Sequence, residues 1–102
     1  MKSLLLLTLL ALPGLAAAQA QPWAGEGLRV ARQWCAHCHL VSRDMPPPAN
    51  DVAPSFPALA AMSTTTETGL RVFLQTPHGR MPDYQLSRGE LDAVVGYLLS
   101  LR

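Results

Sequence analysis

Residues 35–39 read Cys35-Ala36-His37-Cys38-His39. On a helical turn, residues three apart share an edge, so both cysteine sulfurs project to one side while His39, four residues after Cys35, points past them. This is the Cys-x-x-Cys-His form through which a c-type haem is attached. The two thiols bond as thioethers to the vinyl-derived carbons along one porphyrin edge, and the histidine meets the iron. Other uses of these residues fit less well. A thioredoxin-like dithiol needs a strand before the motif, and no alternating apolar run precedes it. A zinc site built from Cys35, Cys38, His39 and His78 follows no common ligand spacing. A Cys35–Cys38 disulfide closes a small strained ring.

Working outward, the stretch from Pro22 to about Leu40 reads as a helix with Pro near its start and Glu26 in its first turn. Leu28, Ala31, Cys35 and Cys38 form one stripe. Beyond the motif, residues 41–57 contain Pro46, Pro47, Pro48, Pro54 and Pro57. Prolines at that density exclude a helix interior and a central strand, leaving a loop of some 17 residues. Loops that long inside small domains usually serve a function, so this one is expected to wrap something other than protein. A short helix is expected from Thr65 to Gln75, with Thr64 and Glu67 at capping-box spacing and Leu70, Phe73 and Leu74 on one face. The strongest helix pattern runs from Arg88 to Leu101, with Ser87 and Glu90 at capping-box spacing and Leu91, Val94, Val95, Leu98 and Leu99 as its apolar stripe. The expected fold is therefore all-α, with three main helices and one long proline-rich loop.

At the amino end, Lys2 precedes the apolar run Leu4 to Leu12, Pro13 and Gly14 break it, and Ala18-Gln19-Ala20 offers a small-x-small cleavage site. The run is about half the ~20 residues a membrane span requires. Residues 1–20 are accordingly read as an export signal cleaved after Ala20, and residues 21–102 as one domain destined for the periplasm with no stable membrane insertion. That domain has no lysine, and its seven arginines balance seven acidic residues. Net neutrality removes the long-range attraction on which nucleic-acid binding depends. A domain this small struggles to bury enough apolar surface to fold alone, and two cysteines three apart close no useful loop, so a metal or a large apolar cofactor is expected to supply the missing core.

Iron held by His39 calls for a second axial ligand after a segment long enough to pass around the macrocycle. Met81 lies 42 residues on and is followed by Pro82, which restricts it toward extended backbone. Thioether ligation raises the reduction potential and suits electron transfer. Three rivals remain. Met45 is only six residues from His39, a span reaching about 20 Å when fully extended. Met62 stands before a helix start and reads as core. His78 is three residues from Met81. His37, inside the motif, reads as surface-facing or as a neighbour of a haem propionate.

With the motif near the front, a Met-Pro some forty residues on and a strong terminal helix, residues 22–102 resemble a small bacterial class I cytochrome c. The run Thr76-Pro77-His78-Gly79-Arg80-Met81-Pro82, followed by Leu86-Ser87 and a helix ending in Gly96-Tyr97-Leu98, is similar to that family's methionine loop and last helix. The resemblance implies one covalent haem c on Cys35 and Cys38, ligated by His39 and Met81. It implies a close crossing of first and last helices at Gly27 and Tyr97. It further implies a proline, matched here by Pro54, whose carbonyl accepts a hydrogen bond from the proximal histidine. There are departures. Ala31 stands where the family often has a larger aromatic, which points to Trp34 or Trp23 as packing for the crossing. The lysine ring that steers mitochondrial members is missing, so docking should rest on apolar surface around a haem edge. Arg43, Arg71 and Arg80 are candidate partners for haem propionates.

The function implied is a periplasmic one-electron carrier, not an enzyme, passing electrons between redox proteins such as a dehydrogenase, reductase or oxidase. Two alternatives stand beside it. One is a haem subunit docked on a periplasmic dehydrogenase; the other is a gas- or peroxide-binding haem protein whose sixth ligand is labile.

Overall fold

The computed structural model describes residues 22–49 and 53–102. The expected export signal at 1–20 lies outside the described residues, as do Asn50, Asp51 and Val52 of the proline-rich segment. The described chain is helical, with α1 at Pro22–Trp34, α2 at Phe56–Ala61, α3 at Glu67–Leu74 and α4 at Arg88–Leu99. That is one helix more than expected.

The fold is organised by the crossing of α1 and α4. A β-carbon placed on Gly27 would lie 2.2 Å from the Ala93 carbonyl oxygen and 2.4 Å from Tyr97 Cβ, so only glycine permits this approach. Gly96 plays a lesser part, since Trp23 lies flat against it with ring atoms 3.0–3.3 Å from where a β-carbon would sit. Trp23 thus packs a face of the crossing, Ala31 is fully buried further along α1, and Trp34 packs at the edge of the core and lines the cleft beside the motif. Val30 joins Ala31 in the core, and Leu91, Ala93, Val94, Val95, Tyr97 and Leu98 of α4 are buried. This is broader than the stripe expected of α4, because other helices flank it. The Tyr97 hydroxyl donates to the Val41 carbonyl at 2.6 Å, anchoring the segment after the motif.

Several expectations are corrected. Helix α1 ends at Trp34, before the motif, and has no acidic residue in its first turn; Glu26 lies a turn later and pairs with Arg29 at 2.6 Å. The last two residues that read as loop, Phe56 and Pro57, open α2, because a proline at the first turn of a helix removes only an amide that has no partner anyway. Ser55 caps α2 by accepting from the Ala58 amide. Helix α3 starts at Glu67 rather than Thr65, capped by Thr66, whose hydroxyl accepts from the Gly69 amide; Thr64 and Glu67 form no capping box. For α4 the capping box is present, Ser87 Oγ accepting from Glu90 N and Glu90 Oε2 from Ser87 N, and the helix stops at Leu99. Met62 is half-exposed at the end of α2 and is not core.

Candidate functional site

The site begins where α1 ends. The Ala31 carbonyl accepts from both Cys35 and Ala36 amides, and the Cys35 carbonyl accepts from Cys38 at 3.2 Å and His39 at 2.9 Å. The motif is thus a separate turn rather than a continuation of the helix, which breaks the expected stripe: Cys35 is partly buried and Cys38 is exposed. Both thiols are free. Burial pushes the Cys35 thiol up to about 11, so it remains protonated at neutral pH.

His39 Nδ1 donates to the Pro54 carbonyl oxygen at 2.6 Å. A carbonyl can only accept, so this bond sets the tautomer and leaves Nε2 with a free lone pair. The edge of the buried Phe56 ring steadies the imidazole from the side, with centroids 5.6 Å apart. The loop that brings Pro54 to His39 is pinned at its neck by a 2.9 Å hydrogen bond from the Phe56 amide to the Leu40 carbonyl. Of the segment's described residues, Val41 is fully buried and Met45 packs on the core, while Ala53 and Pro54 line the cleft and Phe56 the adjoining cavity.

Beside the motif lie a cleft of about 470 Å³ and an adjoining cavity of about 300 Å³. Cys35, His39, Leu59, Phe73 and Met81 line both, so the two form a continuous apolar space, of the size that small ligands and cofactors occupy. A wider depression of about 740 Å³ beside Arg43, Met62 and Arg102 includes none of the motif's residues.

The structure separates the four candidates for a second ligand. Met81 alone among them borders both spaces that His39 borders. Met45 and Met62 border neither. His78 is tied down, its Nδ1 donating to the Thr76 carbonyl at 2.6 Å and its Nε2 lying 3.4 Å from Met81 Sδ. Met81 is carried by a tight turn: residues 78 and 81 form an antiparallel bridge, and Gly79 adopts φ 45°, the left-handed region that glycine tolerates best. His37 is exposed and borders the cleft.

Leu59, Phe73 and Tyr84 also line the cleft, and sequence reasoning gave none of them a place there. Leu59 lies in the overlooked α2, and Tyr84 stacks at a tilt on Trp34, centroids 5.0 Å apart. The Trp34 indole N–H is buried with no hydrogen-bond acceptor. No strand precedes the motif among the described residues, and none of their His, Cys, Asp or Glu side chains gather in a group of three that could hold a metal ion. The cavity is instead lined by the His39 imidazole, the Met81 thioether and two thiols, with His37 exposed on the cleft; this fits a porphyrin whose iron would take the imidazole and thioether and whose edge would take the thiols.

Cytochrome c-552 of Bradyrhizobium diazoefficiens is 39% identical to this chain over 79 residues, 78% of this chain and 75% of the relative. No protein-family model matches the chain. No solved structure matches it either.

Proposed function

The chain belongs to the small c-type cytochromes, and from that premise we propose that it is a periplasmic one-electron carrier holding a single haem c through Cys35 and Cys38, with His39 and Met81 as axial ligands. Bound haem supplies a ferric/ferrous couple and needs no substrate at the metal. The observation that carries the reading is the hydrogen bond from His39 to Pro54 facing a cavity that Met81 also borders. That bond orients the imidazole and raises its basicity toward a metal. Pro77 and Pro82 bracket the 78–81 turn, which favours a fixed sulfur over one that swings aside for an incoming ligand. A closed site of this kind suits transfer rather than ligand chemistry. The apolar cleft mouth, with Tyr84 exposed beside Trp34, offers a docking face to redox partners that does not depend on charge. Among the described residues no helix is long and apolar enough to cross a membrane. Removal of residues 1–20 would leave the domain free.

The test is the ligand set. Met81→Ala should abolish the weak far-red charge-transfer band of the ferric protein, lower its potential and open the ferrous protein to carbon monoxide. His78→Ala and Met45→Ala should leave all three unchanged. Loss of the native spectrum in His78→Ala would mean bis-histidine ligation. Rapid carbon monoxide binding by the unmutated ferrous protein would overturn the carrier in favour of a gas- or peroxide-binding site. Intact-mass measurement on exported protein checks both haem attachment and cleavage after Ala20.

A further inference from the structure

Resting on the reading that the cavity holds haem c, we propose that Arg80 is the carboxylate clamp of the site, its guanidinium pairing with a haem propionate and thereby setting the iron's potential. The cofactor poses a charge problem. Its two thioether-bearing carbons lie toward one edge and its two propionates on another, so an apolar pocket must find a cation for the carboxylates or leave them to water.

Among the described residues Arg80 is the only arginine bordering either space, and no Asp or Glu borders them. Among the described residues its exposed side chain makes no ion pair or hydrogen bond, so the guanidinium is not committed to another of them. The two other candidates are placed differently. Arg71 is already held by Glu67 at 3.0 Å and Asp92 at 2.5 Å, bridging α3 to α4 away from the cavity. Arg43 borders the separate depression beside Met62 and Arg102. Arg80 also directly precedes Met81 in the turn held by the 78–81 bridge. A contact from its guanidinium to the cofactor therefore fixes the backbone that presents the sulfur. A planar fork matches a carboxylate by two parallel hydrogen bonds, which a lysine cannot reproduce.

The experiment uses haem-loaded protein with Arg80→Gln, Arg80→Lys and Arg43→Gln. The readouts are midpoint potential and the propionate carboxylate bands in redox difference infrared spectra. Arg80→Gln should lower the potential, because an unneutralised propionate favours ferric iron, and its carboxylate bands should move to the positions of a solvated carboxylate. Arg80→Lys should restore part of the potential without restoring the bands. Arg43→Gln removes the same charge from outside the cavity and should match the parent. A haem-loaded Arg80→Gln with parental potential and bands overturns the clamp while leaving the cofactor reading intact. A parent protein that carries no covalent haem by intact mass overturns both.

Discussion

The α1–α4 crossing and the α3 side of the molecule are built on opposite terms. At the crossing the packing is complete: Val30, Ala31 and Val95 are at most 1% exposed, and Gly27 leaves no room for a methyl group. Helix α3, by contrast, has no buried residue, although Leu70 and Leu74 lean on the core and Phe73 stands 47% exposed at the cavity wall. One half of the fold is closed by its own side chains. The other half encloses a space, and its apolar residues await a partner that the chain does not supply.

The largest expected effect comes from denying that partner. Protein with Cys35→Ala and Cys38→Ala, produced without haem, should show unprotected α3 amides in hydrogen exchange, with residual protection confined to α1 and α4. A cooperative thermal transition comparable with that of the haem-loaded protein would erase the contrast. Gly27→Val attacks the opposite half. Its side chain meets backbone and Cβ atoms that cannot swing away, so the cost should be about 3 kcal/mol or more, a loss of more than about 12 °C in melting temperature. Unchanged stability would mean the crossing is looser than the contacts at Ala93 and Tyr97 indicate. Tyr97→Phe strands the buried Val41 carbonyl and should cost about 1–2 kcal/mol in denaturant unfolding.

The smallest effect concerns the start of α4. Ser87→Ala should cost about 1 kcal/mol at neutral pH. The Ser87 amide, and then its hydroxyl, hold the Glu90 carboxyl below its ordinary 4.5. A depressed carboxylate stabilises the fold fully above the unfolded value and loses that contribution as pH falls through the folded one. Ser87→Ala removes the hydroxyl but keeps the amide, so it should flatten only part of the decline below about pH 4.5, and Glu90→Gln should flatten it further, read from thermal midpoints across pH. An unaltered acid limb in Glu90→Gln would show that this carboxyl contributes nothing to it.

The same contrast explains what could be read from the chain. Helix α4 was legible with its cap because Ser87, Glu90 and the apolar stripe are local signals that tertiary packing only reinforced. Helix α3 was legible in existence but not in start, since Thr64, Thr65 and Thr66 are three successive capable caps and local sequence does not choose among them. Helix α2 was hidden by the density of prolines around it, although Pro57 sits where a helix accepts proline. The end of α1 had no local mark; Ala31 accepts two amides and turns the chain without any breaking residue. At the candidate site, the turn that groups Cys35, Cys38 and His39 was legible from spacing, and the His39–Pro54 hydrogen bond through family resemblance. The cavity wall was not, because Leu59, Phe73 and Tyr84 come together only through the fold.

The crossing of α1 and α4 also has a consequence in time. The residues that close over one another at Gly27 and Tyr97 lie at opposite ends of the described chain. A ribosome makes α1 and the cysteine turn first, and α4 follows roughly 3–12 s later at 5–20 residues per second. Until then α1 has no helix to cross. Helix α4 is the clasp that arrives last, so the best-packed part of the fold cannot form until nearly the whole chain has been made.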